Sequence, residues 1–491
     1  MSASREKKNR RSTVDVTSVE APKKGMNKGL KRALTIAVSV VLIAAIVFLS
    51  MVSLAFFEKH TTAVEAAGHK LSPAMMNFFY VNETNEMISY LGSSIDTSVP
   101  LSEQNYPGDK FDTWADYFMD YAADQAADSY AIYDDAMANG FVLSDSAKAN
   151  LESELSMTEL YAQVYGLTPD AMVANNFGTG CTMKLYEEFL TINAVVSEYT
   201  AAKHSEPSYT SIEINEYYGE HKNEFDGVTF RYFSVTPDAL DQAEGEEDLA
   251  ACEEAANAIA EAGKGNEEAY LEAVKGYMDE ATAANADAST LYEDYTIASC
   301  PDEFQEWLSD DARVEGDIFV VAEDESGYAV VYFVRSEDRT YQMPNVRHIL
   351  IAVEDSTDEA AKAEAEKKAQ DILDQYLAGA QTEEAFAELA KANSADNAEA
   401  GGLYEDIAPG SMVDTFDAWC YDESRQVGDT GIVETQYGYH IMFFSGYGET
   451  YQNSLVDDAM RTRDYSAWRE SVTGDVTYTI TENAKRYMIE I

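Results

Sequence analysis

The sequence predicts an α+β chain on a single transmembrane helix, with a helical region followed by two copies of one mixed strand-and-helix unit. Three observations carry this. Residues 33–57 contain no charged side chain, and residues 58–226 are punctuated by helix caps and helically spaced aromatics. One motif recurs without a gap: FQEWLSDDARVEGD (304–317) answers FDAWCYDESRQVGD (416–429) at a shift of 416 − 304 = 112. With 491 residues, 46% of them hydrophobic, the chain has room for about three domains with substantial cores.

At ~1.5 Å rise per residue, the uncharged run covers the ~30 Å hydrocarbon core of a bilayer. Residues 1–32 carry ten Lys or Arg and three acidic side chains, a net of 10 − 3 = +7. That excess holds the first segment in the cytoplasm and places everything after residue 57 outside. A cleaved signal peptide is the competing reading, but its apolar part usually spans only ~7–15 residues. AVEAAG (63–68) is a weak cleavage site, and no cysteine close behind the run suggests a lipid anchor.

The whole chain carries −55, so the part beyond residue 32 sums to −55 − 7 = −62. Such a surface repels nucleic acid. It serves solubility outside the cell, or attraction of cationic unfolded chains or divalent ions, although no clustered carboxylate loop forms a calcium motif. Cys181, Cys252, Cys300 and Cys420 show neither CxxC nor metal-ligand spacing. A Cys252–Cys300 bridge is open in an extracytoplasmic setting. Cys420 aligns with Leu308 of the first copy and is expected to be a small buried apolar group.

In the helical region, Ser72-Pro73 and Thr168-Pro169 each set an N-cap hydroxyl before a first-turn proline. Phe111, Trp114, Phe118 and Tyr121 recur at helical spacing, and Asn139-Gly140 supplies a stop. A short acidic, aromatic helix at 212–225 leads into the repeats. Each repeat runs strand, helix, helix and strand-like segment, with RYFSV (231–235) answering RHILI (347–351) and NEEAY (266–270) answering TEEAF (382–386). In the second copy VRHILIAV (346–353) reads as a strand. STDE (356–359) reads as a capping box opening a helix to about Leu377, and GYHIMFF (438–444) reads as a buried strand. The tail has a helix through Trp468 and the alternating VTYTITE (476–482), and is expected to pack back on the helical region.

The two copies differ in their polar side chains. Where the second has His348 and His440, the first has Tyr232 and Ala329. The ordered set RHIL, alanine-rich helix, TEEAFAELAKANSAD, GG, GSMVDTFDAW and VGDTGIVETQYGYHI resembles the parvulin family of peptidyl-prolyl isomerases over residues 344–447. The wider layout looks like the membrane-anchored extracytoplasmic foldases of the PrsA and SurA kind. This resemblance implies a cytoplasmic segment (1–32), a membrane span (33–57), a chaperone-like helical domain (58–226) and a degenerate parvulin-like unit (227–342). An isomerase domain (343–448) and a returning tail (449–491) would follow. Both parvulin-like units are expected to fold as FKBP-like antiparallel sheets with helices.

Position by position, the resemblance makes His348 and His440 the two central histidines, Asp396 the Cys-or-Asp position, and Met412 with Phe416 the proline-binding floor. Tyr404 and Tyr437 fall near the rim. The loop GGLYEDI (401–407) departs from the commoner Gly-Gly-Asp-Leu-Gly. No cofactor or metal is implied. An X–Pro amide turns over a barrier of ~18–20 kcal/mol without bond cleavage. The chemistry therefore asks for an apolar seat for the ring and for groups that stabilise the twisted amide better than the planar one. Two roles stay open for the histidines: acting on the amide directly, or hydrogen-bonding each other and shaping the pocket.

The expected function is a single-pass cell-membrane foldase that isomerises prolyl bonds in secreted chains, held to the bilayer through residues 33–57. Unfolded proline-containing polypeptides would be its partners, and a homodimer through the helical region is open. The alternative is a non-enzymatic holdase or envelope scaffold. A hydrolase is disfavoured, since no Ser or Cys nucleophile sits beside a base. The first copy is expected to be structural.

Overall fold

The computed structural model describes residues 28–53, 55–240, 246–323, 326–355 and 357–491. Contacts divide the chain into two compact units, one formed by residues up to Ala202 with Trp468–Ile491, the other by Lys203–Ala467. Both boundaries fall inside helices.

The first unit begins with α1 (Lys28–Ser53), which exposes Val40, Leu42, Ile43, Ile46 and Leu49. The run 33–57 is not one helix. Ala55 turns the chain with φ 53° into α2 (Phe56–His60), and among the described residues no helix is long and apolar enough to cross a membrane. Lack of charge cannot reveal such a turn. Ala55 is buried, and Phe57 stacks on Tyr487 with centroids 5.4 Å apart, so the end of the run packs within this unit. Residues 1–27 of the basic segment lie outside the described residues.

The chain continues through β1 (Val64–Ala66), β2 (His69–Leu71), α3 (Pro73–Leu91), α4 (Trp114–Ala138), α5 (Asp145–Val164), α6 (Pro169–Phe177) and α7 (Met183–Ser205). Ser72 Oγ accepts from the Met75 amide and Thr168 Oγ1 from the Ala171 amide, both at 3.2 Å, with proline in each first turn. The cap of α4 is Thr113, so Phe111 precedes the helix while Trp114 and Phe118 enter the core. Asn139 ends the helix and Gly140, at φ 72°, turns the chain away.

In the second unit the expected helix 212–225 is broken at His221 into α8 (Ser211–Glu220) and α9 (Lys222–Phe225). The first repeat follows as β3 (Gly227–Val235), α10 (Glu246–Gly263), α11 (Glu267–Lys275), α12 (Glu280–Ala283), α13 (Ala286–Thr290), β4 (Leu291–Thr296), α14 (Asp302–Leu308), β5 (Ile318–Glu323) and β6 (Gly327–Glu337). The second is β7 (Gln342–Ala352), α15 (Glu359–Leu377), α16 (Glu383–Asn393), β8 (Leu403–Tyr404), α17 (Asp414–Cys420), β9 (Thr430–Thr435) and β10 (Gly438–Thr450). The cap of α15 is Asp358, whose Oδ1 accepts from the amides of Ala360 and Ala361, rather than Ser356, which lies outside the described residues.

Both repeats build a four-stranded antiparallel sheet in the same order, β4-β3-β6-β5 and β8-β7-β10-β9. The supporting contacts repeat as well. Arg231 Nε donates to Glu267 at 2.6 Å as Arg347 Nε donates to Glu383 at 2.8 Å, and Arg313 and Arg425 lie over the rings of Trp307 and Trp419. Phe304 and Phe416 are buried, as are Leu308 and Cys420. All four cysteines are buried and none is in a disulfide, so Cys252 and Cys300 form no bridge.

The chain then runs through α18 (Tyr451–Thr473) to β11 (Tyr478–Ile480) and α19 (Glu482–Tyr487). β11 pairs antiparallel with β1, the Ile489 amide donates to the buried Asn77 Oδ1 at 3.0 Å, and the Leu101 amide donates to the Ile491 carbonyl at 2.8 Å. Truncation after Thr473 opens the β1 edge and strips the donor from Asn77 Oδ1, a loss of at least about 3 kcal/mol. Calorimetry should show the transition of the first unit moving to lower temperature; an unchanged transition would refute this accounting.

Candidate active site

The site grows from the alternation of β7 and β10. In β10, Tyr439, Ile441 and Phe443 face α15 and α16, so His440, Met442 and Phe444 point to the opposite face, toward α17. In β7 the same alternation sends Ile349 and Ile351 one way and Val346 and His348 the other. The register pairs His348 with Met442 and Leu350 with His440, so the two imidazoles sit diagonally across adjacent strands. Their rings stack at 5.2 Å and 16°, and Phe416 of α17 presents its edge to both, at 5.4 and 5.3 Å.

The polar groups form a chain. His348 Nδ1 lies 3.0 Å from His440 Nδ1, and His440 Nε2 lies 2.9 Å from Thr435 Oγ1. His348 Nε2 faces Asp396 Oδ2 at 3.3 Å, off the hydrogen-bonding line, and the Tyr404 hydroxyl donates to the same carboxylate oxygen at 3.1 Å. One tautomer assignment runs through all of it. The Thr435 hydroxyl donates to His440 Nε2, His440 Nδ1–H donates to His348 Nδ1, and His348 Nε2–H is turned to the carboxylate. The Tyr437 amide closes the far end by donating to Thr435 Oγ1 at 3.1 Å.

The surroundings fix the charge state. The histidines are 2% and 5% exposed, and burial drives both toward the neutral form. Burial, with His348 adding to it and Asp396 opposing, brings the pKa of His440 down to about 4. His348 is lowered by burial against the pull of Asp396, and burial followed by Asp396 raises the Tyr404 phenol. The histidines are thus a neutral hydrogen-bonded pair behind a half-exposed carboxylate.

Local backbone places each partner. Ser394 Oγ accepts from the Leu350 amide at 3.0 Å and donates to the Asp396 carbonyl at 2.6 Å, pinning Asp396 to β7. Gly402 accepts from the His348 amide at 2.8 Å, and Arg347 holds the carbonyls of Ala400 and Gly401, both at 3.1 Å. Pairing of β8 with β7 sets Tyr404 opposite Val346, close enough to reach Asp396. Met412 packs beside Phe416 in the cluster of Val346, Ile407, Trp419 and Phe444. A cavity of about 580 Å³ borders the network at Thr435 and Val413, with Lys362 and Glu434 ion-paired on its wall at 2.8 Å.

His348, Asp396, His440, Tyr404, Met412 and Phe416 are therefore brought together. Tyr437 is the exception: it joins through its backbone, while its side chain, on the β9–β10 turn, is 56% exposed. Thr435 escaped sequence reading, although it stands at a legible place, the last residue of the strand before the turn. In the first repeat Tyr232 and Ser234 both donate to Glu323, which pairs with Gly327 as Thr435 pairs with Gly438. A carboxylate network there takes the place of the imidazoles.

Residues 328–445 match the model of the PPIC-type PPIASE domain. The chain carries a parvulin-type peptidyl-prolyl isomerase domain. The match begins within β6 of the first repeat, spans the second repeat and ends within β10. Over 99 residues the chain is 35% identical to foldase protein PrsA 1 of Listeria innocua, covering 20% of this chain and 28% of that one. It thus spans under a third of this relative's length. Among solved structures, PrsA of Bacillus subtilis aligns with 76% of this chain and 93% of its own at 13% identity and a TM-score of 0.30. A structure from Campylobacter jejuni, reported for the SurA-like chaperones PEB4 and Cj1289, aligns with 84% and 96% at 12% identity and 0.18. At such scores the assignment rests on the domain match.

Proposed function

We propose that the chain is an extracytoplasmic foldase whose second repeat isomerises X–Pro bonds in unfolded polypeptides, while the helical unit holds those chains. The observation that carries this is the neutral His348–His440 pair, tied to Thr435 and set behind Asp396 and Tyr404 above the Phe416 edge. Met412 and Phe416 grip the pyrrolidine ring and exclude water. Asp396, oriented by Tyr404 and His348, stabilises the charge that shifts as the amide leaves conjugation. The first repeat, with Tyr232, Ser234 and Glu323 in place of this network, is a scaffold. Membrane attachment through α1 is part of the proposal, supported by the uncharged run, the basic excess before it and the exposed apolar side chains from Val38 to Val52.

The test is isomerisation of a short proline peptide by the full chain beside a Phe416→Ala, Asp396→Ala double variant. The parent should accelerate exchange and the double variant should lose about 100-fold. One observation favours a binding-only chaperone: the first repeat keeps the same sheet without either histidine. A folded parent that binds unfolded chains and accelerates nothing would establish that reading instead.

A further inference from the structure

The segment that carries Met412 and Phe416 has a second side. Pro409, Asp417 and Tyr421 line a cavity of about 600 Å³, completed by Tyr341, Tyr447, Glu423 and Asp338. Its wall holds three carboxylates and three phenol rings and no Lys or Arg. Tyr341 meets Tyr421 edge to face at 6.1 Å and stacks on Tyr451 at 5.8 Å, which fixes its ring, and Tyr421 is anchored by donating to the Ile407 carbonyl at 2.6 Å. Nearby cations are committed elsewhere. Arg339 is buried on Asp294, and Arg425 lies over Trp419 beside Asp422.

Asp417 is the unsettled member. Its Oδ2 accepts from the Gly410 amide at 3.3 Å, but Oδ1, sealed from solvent, has no hydrogen-bond partner among the described residues. Burial raises its carboxyl above the usual range, with Asp414 adding to the effect and the Gly410 amide opposing it. The duplication supplies a comparison inside the same molecule. At the shift of 112, Asp417 answers Gln305 and Tyr421 answers Ser309. The Gln305 Nε2 donates to the carbonyls of Ala298 and Cys300 and to Asp302. The acid and the phenol that Asp417 and Tyr421 bring to the wall are thus replaced by Gln305 and Ser309 at the aligned positions of the first repeat.

We propose that this cavity is a specificity subsite for the isomerase pocket and takes the guanidinium of an arginine near the proline of the client chain. Planar guanidinium groups stack on aromatic faces and pair with carboxylates, and a cavity of this size admits one such side chain. Occupation would set a cation beside the Asp417 carboxylate and the two other acids of the wall, and would complement a chain at −55. The subsite rests on the isomerase reading, since its use is to orient a bound prolyl peptide.

The experiment compares otherwise identical proline peptides with arginine moved along either flank of the proline, using the full chain, Asp417→Asn and the exposed-site variant Glu423→Gln. One placement should raise kcat/KM about 5-fold over the norleucine peptide, through KM and not kcat, and added salt should shrink the gain. D417N should abolish the preference and E423Q should reduce it, while both leave the norleucine peptide unchanged. If no placement exceeds norleucine, or if the preference survives D417N, the proposal is overturned. Affinity for a proline-free arginine peptide is measured in parallel, so that a chain without isomerase activity still decides the matter. Tighter binding than the norleucine counterpart, lost in D417N, supports the subsite, and equal binding overturns it.

Discussion

Replacing Gly402 with alanine should cost the isomerase domain its activity by at least about 100-fold and several kcal/mol of local stability. Gly402 has φ +68°, and a Cβ there would sit 2.0 Å from the carbonyl oxygen of His348. The contact is with backbone, so no side chain can swing aside; the β7 strand itself must move. The left-handed conformation adds ~1–2 kcal/mol for any residue with a Cβ. Displacement is transmitted directly, because the Gly402 carbonyl accepts from the His348 amide. A shift of ~1 Å in a catalytic group is enough for a ~100-fold loss. Gly410 is the matched control, with φ +70° and open space around the added Cβ. Alanine there should cost only the conformational term and leave the rate within a few-fold. The comparison is made by peptide isomerisation together with amide exchange in β7. Equal behaviour of the two variants would show that the Gly402 loop does not hold the histidine in place.

Much of this architecture could be read before any coordinates, and the reasons are local. The repeat was legible because Phe, Trp, Arg, Gly and Asp at 304–317 and 416–429 each do a job that recurs, from buried anchor to guanidinium on indole. The histidines, Asp396, Met412 and Phe416 were legible through the resemblance to the parvulin family, whose motif residues are matched position by position in this sequence. What escaped reading depends on tertiary partners. Thr435 matters only because a tight turn folds it back onto His440. The departure of GGLYEDI from the commoner loop becomes intelligible once pairing of β8 with β7 delivers the Tyr404 hydroxyl to Asp396. Tyr437 was expected at the rim from its place in the motif, yet its side chain is turned out while its amide does the bonding. The uncharged run 33–57 hid the turn at Ala55, since hydropathy does not register a positive φ. Asp417 was invisible because an unpartnered oxygen is a property of the packed structure, not of the residue.

Acidification should loosen the active-site sheet in a window set by the buried histidines. The unfolded chain titrates histidine near its ordinary value of 6.5, whereas in the folded domain His440 is brought down to about 4 and His348 is lowered too. Between these values the unfolded state binds protons that the native state refuses, so stability rises with pH across the window. It is fully present above pH ~6.5 and is lost as pH falls toward 4. The loss is about 3 kcal/mol from His440 alone at ~1.4 kcal/mol per unit. The carboxylates complicate a direct scan, because protonating them relieves the self-repulsion of a chain at −55 and acts in the opposite sense. A His440→Gln variant separates the two, since glutamine hydrogen-bonds but does not titrate. Opening free energies from amide exchange in β7 and β10 should therefore converge for parent and variant as pH falls from 7 to 4. The parent has the larger advantage at pH 7 and loses about 3 kcal/mol of it by pH 4. Parallel profiles would mean that the imidazole pair accepts a proton without opening, and would remove the neutral pair from the account of the site.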